Sequence, residues 1–409
     1  MTLPLAGFRV LDLSRVLAGP LVGQMLGDLG AEVIKIEKPG EGDDSRKYGP
    51  PFLTTREGEK TNESGFYLSA NRNKQSVTVD LGTPEGQDII RRIARKSDVV
   101  VENFRVGTLA KFGLDYASLS TLNPRLVYLS ITGYGQTGKM AQRPGYDAIF
   151  QAVGGHMAVT GVPDNLPGGG PMRSGLSIVD ILTSLYATIG ILAALGYRDR
   201  SPEGKGQYID IALLDSMVAT LSHRGVQYLI SGKRFPRRGN VGAGGSPSQA
   251  FRCADGLVVL TVGNDSQWVR FCAAIGEPGL AADPRFASTT QRIENRDALT
   301  QALEAKFAIG SKAHWLEALE RANVPCGPVN ELDEVFSDSQ VRDRGLAVSV
   351  SHPLSAALTL ISNPLRFSDT PLGRYEPPPM LGQHTESVLR DLIGVSEAEL
   401  LALKKAKAI

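Results

Sequence analysis

A chain of 409 residues, 42% hydrophobic and 21% charged, has the composition of a soluble globular protein of two or three domains. Lysine plus arginine (44) nearly balances aspartate plus glutamate (43), so no global basic field exists to hold nucleic acid or a membrane surface, and an anionic ligand needs a local cluster. Cys253, Cys272 and Cys326 form no CxxC pair and no disulfide framework, which fits a reducing, cytoplasmic setting. The first seven residues lack the basic flank and apolar stretch of a signal peptide.

Residues 8–13 (FRVLDL) are a short apolar run that predicts a strand. Gly19-Pro20 opens a helical pattern in Leu21, Met25, Leu26 and Leu29, with Gly30 as its C-cap, and residues 31–37 (AEVIKIE) are the next strand. This β-α-β unit predicts a parallel sheet with a right-handed crossover. Its first turn, SRVLAGP, is not the GxGxxG of a dinucleotide site. Residues 39–63, rich in Gly, Pro and charge, read as a long loop. Strands follow at 76–80, 98–102 and 126–132, with an amphipathic helix at 86–96. The repeated alternation predicts an α/β fold with a Rossmann-like open parallel sheet, which binds ligands beyond the C-terminal strand ends. Arg15, Lys38, Asn103, Phe104 and Tyr134 all follow predicted strands. Residues 133–140 (GYGQTGKM) have the spacing of a phosphate loop, but Met140 stands where the motif needs Ser or Thr, and Pro144 interrupts the helix that should follow.

Residues 174–197 carry a single charge, Asp180, among apolar and small residues with helical spacing at 178, 181, 182, 185, 189 and 192. Three readings stay open. Asp180 is a nucleophile, because a carboxylate poor in water attacks more readily. Or it is a helix-start residue stabilised by backbone N–H groups. Or the stretch spans a membrane, at a cost of ~2.5–3.5 kcal/mol for the acid. A strand at 207–211 and a helix at 213–230 follow, then a glycine-rich loop at 239–246. Its amides suit an anion or an oxyanion, and a surface hairpin is the plainer reading. The texture then changes, placing an N-terminal part at 1–225, a smaller α+β domain at 226–330 with PCGP (325–328) as linker, and a C-terminal part at 331–409. The chain has no HExxH, no GxSxG and no Cys/His cluster, and its five histidines are scattered, so no metal site is expected.

Eight ordered blocks carry a resemblance: LDLSRVLAGP (11–20), AEVIKIEKPG (31–40), NRNKQS (71–76), VENFRVGTLAKFGLDY (101–116), RPGYDAIFQA (143–152), GKGQYIDIALLDS (204–216), VPCGPVN (324–330) and PPMLGQHT (378–385). Together they resemble the family III coenzyme A transferases over nearly the whole chain. The resemblance implies Asp180 as nucleophile, acting through an aspartyl anhydride and an aspartyl-CoA thioester. It implies no tightly bound cofactor, with acyl-CoA and a small acid as substrates, and two interlocked ring-like subunits whose large domain uses both chain ends. Matched CoA contacts are Val16, Lys38, Val79, Asn103, Phe104, Lys111 and Tyr146. Arg72, Lys74 and Arg105 could extend a basic patch for the phosphates, or be solvated surface. Leu17 stands where formyl-CoA transferases have glutamine, which disfavours oxalate or formate. Tyr146 stands where related racemases have a catalytic histidine, which disfavours racemisation. The matched glycine loop includes Gly244 and Gly245, with Ala243 as a departure. The likeness is greatest to the dicarboxylate branch, for which Arg173 could pair with a distal carboxylate or form a structural salt bridge.

Overall fold

The computed structural model describes residues 2–242 and 244–409, so Ala243 lies outside the described residues. Six strands make one parallel sheet: β1 (Arg9–Asp12), β2 (Glu32–Glu37), β3 (Lys74–Thr78), β4 (Val99–Glu102), β5 (Val127–Thr132) and β6 (Tyr208–Ala212). Their spatial order is β3-β2-β1-β4-β5-β6. The order reverses between β1 and β4, and the crevice beyond those two strand ends is where such sheets bind ligands. Strand residues alternate between faces. Leu11, Ile34, Val77 and Val100 join one apolar cluster, and Val10, Val33, Val99 and Val101 join another, so the sheet is buried on both sides.

Helix α1 (Ala18–Asp28) connects β1 to β2, and α2 (Pro84–Ala94) connects β3 to β4. Pro84 starts α2 where no N–H is needed, and the Thr83 hydroxyl caps Gly86 N. Helix α3 (Asp147–Val153) and the long helix α4 (Ile178–Arg200) follow β5. By length and composition α4 could cross a membrane. In the fold its Val179, Ala187, Ile191 and Leu195 are buried in the sheet's second cluster, against α1.

The chain divides into two compact units. The larger comprises Met1–His156, Ser174–Gly232 and Arg342–Ile409, and the smaller Met157–Arg173 and Lys233–Val341. The smaller unit has its own core of Phe251, Trp268, Phe271, Phe286, Phe307 and Trp315. These residues lie on or beside a three-stranded antiparallel sheet (Ser248–Cys253, Gly256–Thr261, Cys326–Pro328) and its helices.

Four sequence expectations need correction. The loop at 39–63 contains a 3-10 turn (Asp44–Lys47) and a hairpin (Phe52–Thr54 with Lys60–Ser64), because Arg46 is buried between Glu37 and Glu63. PCGP is an edge strand rather than a linker; a proline at an edge withholds no inward hydrogen bond. The helix at 213–230 is two helices, Leu213–Thr220 and Ser222–Ser231, broken where Ser222 has φ 45°. Residues 157–173 belong to the smaller unit, where Gly239 N donates to Gly161 O at 2.8 Å and Arg237 Nη1 to Ala158 O at 3.2 Å.

Candidate active site

The crevice between β1 and β4 is held by side-chain to backbone bonds. Asn103, just past β4, accepts from Arg15 N at 2.8 Å and donates to Arg15 O at 2.7 Å, tying the two strand ends together. Arg15 lies over the Phe104 ring at 5.0 Å. The next residue, Val16, has φ 70°. A β-branched residue in the left-handed region costs about 1–3 kcal/mol, and such strain clusters at functional sites. Asp43 offsets it by accepting from Val16 N at 3.1 Å. Asp43 is fixed in turn by the buried Lys35, whose ammonium donates to Asp43 Oδ2 at 2.8 Å and to Ser14 O at 3.0 Å. Burial pushes the Asp43 carboxyl up, but the Lys35 charge and the hydrogen bonds from Lys35 and Ser45 together hold it well below the usual carboxylate range.

Two adjoining clefts open on this crevice. The first, ≈ 260 Å³, is lined by Val16, Asn103, Phe104, Arg105, Arg143 and Tyr146, among others. The second, ≈ 230 Å³, is lined by Lys38, Val79, Leu81 and Phe104, among others, and shares Arg15, Asp44 and Phe104 with the first. The structure therefore gathers Val16, Lys38, Val79, Asn103, Phe104 and Tyr146 along one groove. Lys38 is exposed and paired with Glu41 at 2.5 Å. Among the described residues, no histidine lines either cleft.

Asp180 sits in the first turn of α4. One turn on, the Ser184 hydroxyl donates to Ala18 O at 2.7 Å, and Ala18 lines the first cleft. The side chain of Ser177, the cap position, makes no capping bond. Asp147 caps the helix instead: its Oδ2 accepts from Val179 N at 2.8 Å and Asp180 N at 3.2 Å. The helix amides are thus taken by another acid, and no described residue donates a hydrogen bond to the Asp180 carboxylate. Burial, joined by the charge of Asp147, pushes the Asp180 carboxyl up to about 7. This departs from the reading of Asp180 as an acid stabilised by its own helix start.

Other expected site residues fall elsewhere. Arg72 and Lys74 are neither a phosphate patch nor solvated surface. Arg72 grips Asp28 at 2.6 Å, and Lys74 donates to Asp12 at 2.9 Å and to Pro20 O at 2.7 Å, all buried. Their charges are fully engaged in these buried pairs. Lys111, on a 3-10 turn (Leu109–Phe112), is exposed and lines neither cleft. Leu17 is buried at the cap position of α1. Arg173 is exposed in the smaller unit, and no described acid forms a salt bridge with it. In the glycine loop, a side chain on Gly245 would meet Val262 O at 2.4 Å, whereas Gly244 has open space. Sequence reasoning missed Lys35, Asp43, Asp147 and Gln151. A lysine between Ile34 and Ile36 in the apolar strand β2 was the one legible signal.

Asp180 itself does not line either cleft, but its helix is tied to Ala18 and to Asp147, whose neighbour Tyr146 lines the first cleft as Ala18 does. A cleft at the reversal point of a parallel sheet, with such a carboxyl on an adjoining helix, marks the chain as an α/β enzyme. Residues 5–385 match the model of CoA-transferase family III, and the chain belongs to that family. It is 44% identical over 389 residues to the succinate–glutarate CoA-transferase of Agrobacterium fabrum, covering 95% of this chain and 96% of that one. It is 40% identical over 406 residues to the human succinyl-CoA:glutarate CoA-transferase, covering 99% and 90%. The crystal structure of a CAIB/BAIF family protein from Brucella suis superposes with a TM-score of 0.87 at 42% identity, covering 96% of this chain and all of that one.

Proposed function

We propose that the protein transfers CoA from succinyl-CoA to a small dicarboxylic acid such as glutarate, with Asp180 as the covalent carrier. The carrying observation is that Asp180, on a helix start tied to Asp147 next to the cleft residue Tyr146, is a carboxyl pushed up by desolvation with neither a cation nor a hydrogen-bond donor on it among the described residues. The acyl-CoA lies along the two clefts, with Lys38 at the phosphate end and Val16 and Asn103 at the thioester. An Asp180 carboxylate oxygen attacks the thioester carbonyl, a C–O bond forms, and the C–S bond breaks to release CoA thiolate. The thiolate then attacks the aspartyl carbonyl of this mixed anhydride and expels succinate. The aspartyl-CoA thioester that remains is attacked by the acceptor carboxylate. Thiolate leaves again, attacks the acyl side of the second anhydride, and regenerates the Asp180 carboxylate. No net proton is transferred. Asp180 must be ionised to begin, so the first step accelerates as pH rises through about 7 and levels off above it. The names of the similar enzymes support the choice of acids.

A homodimer is part of the proposal. Leu229 and Ile230 on helix Ser222–Ser231 are 81% and 82% exposed, with Val226 and Tyr228 nearby, an apolar surface that suits a second copy. Light scattering on the eluted protein checks it: a dimeric mass supports the assembly, and a monomeric one at micromolar concentration contradicts it.

The test of the reaction is intact-protein mass after incubation with succinyl-CoA, with borohydride or hydroxylamine trapping. An adduct that maps to Asp180 and is lost in Asp180→Asn supports the route. Transfer activity with no trappable adduct in the native enzyme contradicts it.

A further inference from the structure

Resting on Asp180 as nucleophile, we infer that Asp147 and Gln151 are positioning residues that fix the start of its helix and set the pH at which it becomes reactive. Both lie on α3, one turn apart, and Gln151 is buried. Asp147 Oδ1 accepts from Gln151 Nε2 at 2.5 Å, while its Oδ2 takes the amides of Val179 and Asp180. Gln151 Oε1 accepts from Ser174 N at 2.7 Å, and its Nε2 also donates to Leu176 O at 3.3 Å. The two side chains therefore hold the segment entering α4 at four backbone points, from Ser174 to Asp180. Phe150 anchors α3 from below: a side chain on Gly133 or Gly145 would lie 2.6 or 2.4 Å from its ring.

Such a clamp has two consequences. It removes the backbone freedom of the nucleophile, so the carboxylate is presented in one geometry. It also reverses the usual effect of a helix start. Free N-terminal amides would favour a charged Asp180, but here a second carboxylate occupies them and brings a like charge close. Other acids lie on the elements packed around α4: Asp28 on α1 is engaged by Arg72, Asp210 on β6 accepts from Gln136 N at 3.0 Å, and Asp215 lies on helix Leu213–Thr220. Of these and Asp147, only Asp147 bears on the Asp180 carboxyl.

The experiment is the rate of adduct formation from succinyl-CoA against pH, by rapid quench and intact mass, for the native enzyme, Asp147→Asn and Gln151→Ala. Asp147→Asn keeps an acceptor for the helix amides and removes the charge. Its acid limb is expected to move down by about one pH unit. Gln151→Ala is expected to leave the limb in place and lower the plateau rate about tenfold. Should Asp147→Asn fold poorly, Asp147→Ser removes the charge with a smaller side chain and carries the same expectation for the limb. Variants whose limb and plateau match the native enzyme would overturn the inference. So would variants that only melt earlier, because a purely structural role moves neither limb nor plateau of the folded fraction. Absence of any adduct in the native enzyme is a separate result that removes the nucleophile itself.

Discussion

Two sets of acids in the larger unit meet opposite fates: one buried, the other, at Asp180, half-buried. Beneath the Val16 turn, each acid faces a cation: Asp43 with Lys35, Asp12 with Lys74, and Glu37 with Arg46. Burial raises the Glu37 carboxyl, but Arg46, Lys35 and Ser76 together outweigh it and the net shift is downward. At the start of α4 the neighbouring charge is another acid, and Asp180 is pushed up to about 7. Glu102 is an instructive intermediate. Burial takes it to about 7 as well, but it accepts from Phe104 N at 2.8 Å and so orders the Asn103-Phe104 turn. Burial alone does not mark a reactive acid. What marks it is desolvation without a hydrogen-bond or cationic partner among the described residues.

The largest expected effect comes from removing the unpartnered acid. Asp180→Asn should lower transfer by about 10³-fold or more, read as turnover with succinyl-CoA and glutarate. The same change should raise the melting temperature at pH 8. The folded pKa is raised, so ionised Asp180 costs stability once pH exceeds the unfolded value near 3.8, and the full cost is present above about 7. The gain should therefore shrink toward pH 5, measured by thermal melts at both pH values.

Breaking a paired acid should do the reverse. Lys35→Met leaves Asp43 buried without its cation, and Arg72→Ala does the same to Asp28. Each should cost roughly 3–5 kcal/mol by urea denaturation. Asp43, with its folded pKa depressed, contributes stability above its unfolded pKa that is lost as pH falls through the folded one. Lys35→Met should accordingly flatten the acid side of the stability curve.

Val16→Gly should stabilise by about 1 kcal/mol, since glycine adopts φ 70° without the β-branched penalty, offset in part by its greater chain entropy. Lower transfer with higher stability would show that the strain serves catalysis. The smallest effect is expected at Lys38. Exposed and salt-bridged, it should raise the KM for succinyl-CoA by about 2–5-fold when changed to alanine, without moving the melting temperature. A large KM change in Arg72→Ala protein that is still folded would blur the contrast between groove residues and buried ion pairs.

Much of the sheet was legible because its strands are apolar runs bounded by turn residues, and Asp180 stood out as a single charge in 24 residues. The rest depended on partners far along the chain. Arg72 and Lys74 read as surface because a charge in sequence does not show which way it points, and their acids lie 44 and 62 positions away. The cap on α4 was invisible for the same reason: it comes from Asp147, 32 and 33 positions before the amides it accepts, not from the residue preceding the helix. The short strand Cys326–Pro328 was hidden by Pro325 before it and Pro328 at its end, and the turn and hairpin within residues 39–63 by a composition that reads as loop.

The most direct test of the central claim is the pH dependence of the first covalent step in the native enzyme, with adduct formation from succinyl-CoA followed by quench and mass from pH 5 to 9. The rate should be low at pH 5, climb through a single ionisation near 7 and level off by pH 9, with no adduct at any pH in Asp180→Asn. A rate that is flat down to pH 5, or an adduct that persists without the Asp180 carboxylate, would contradict the account.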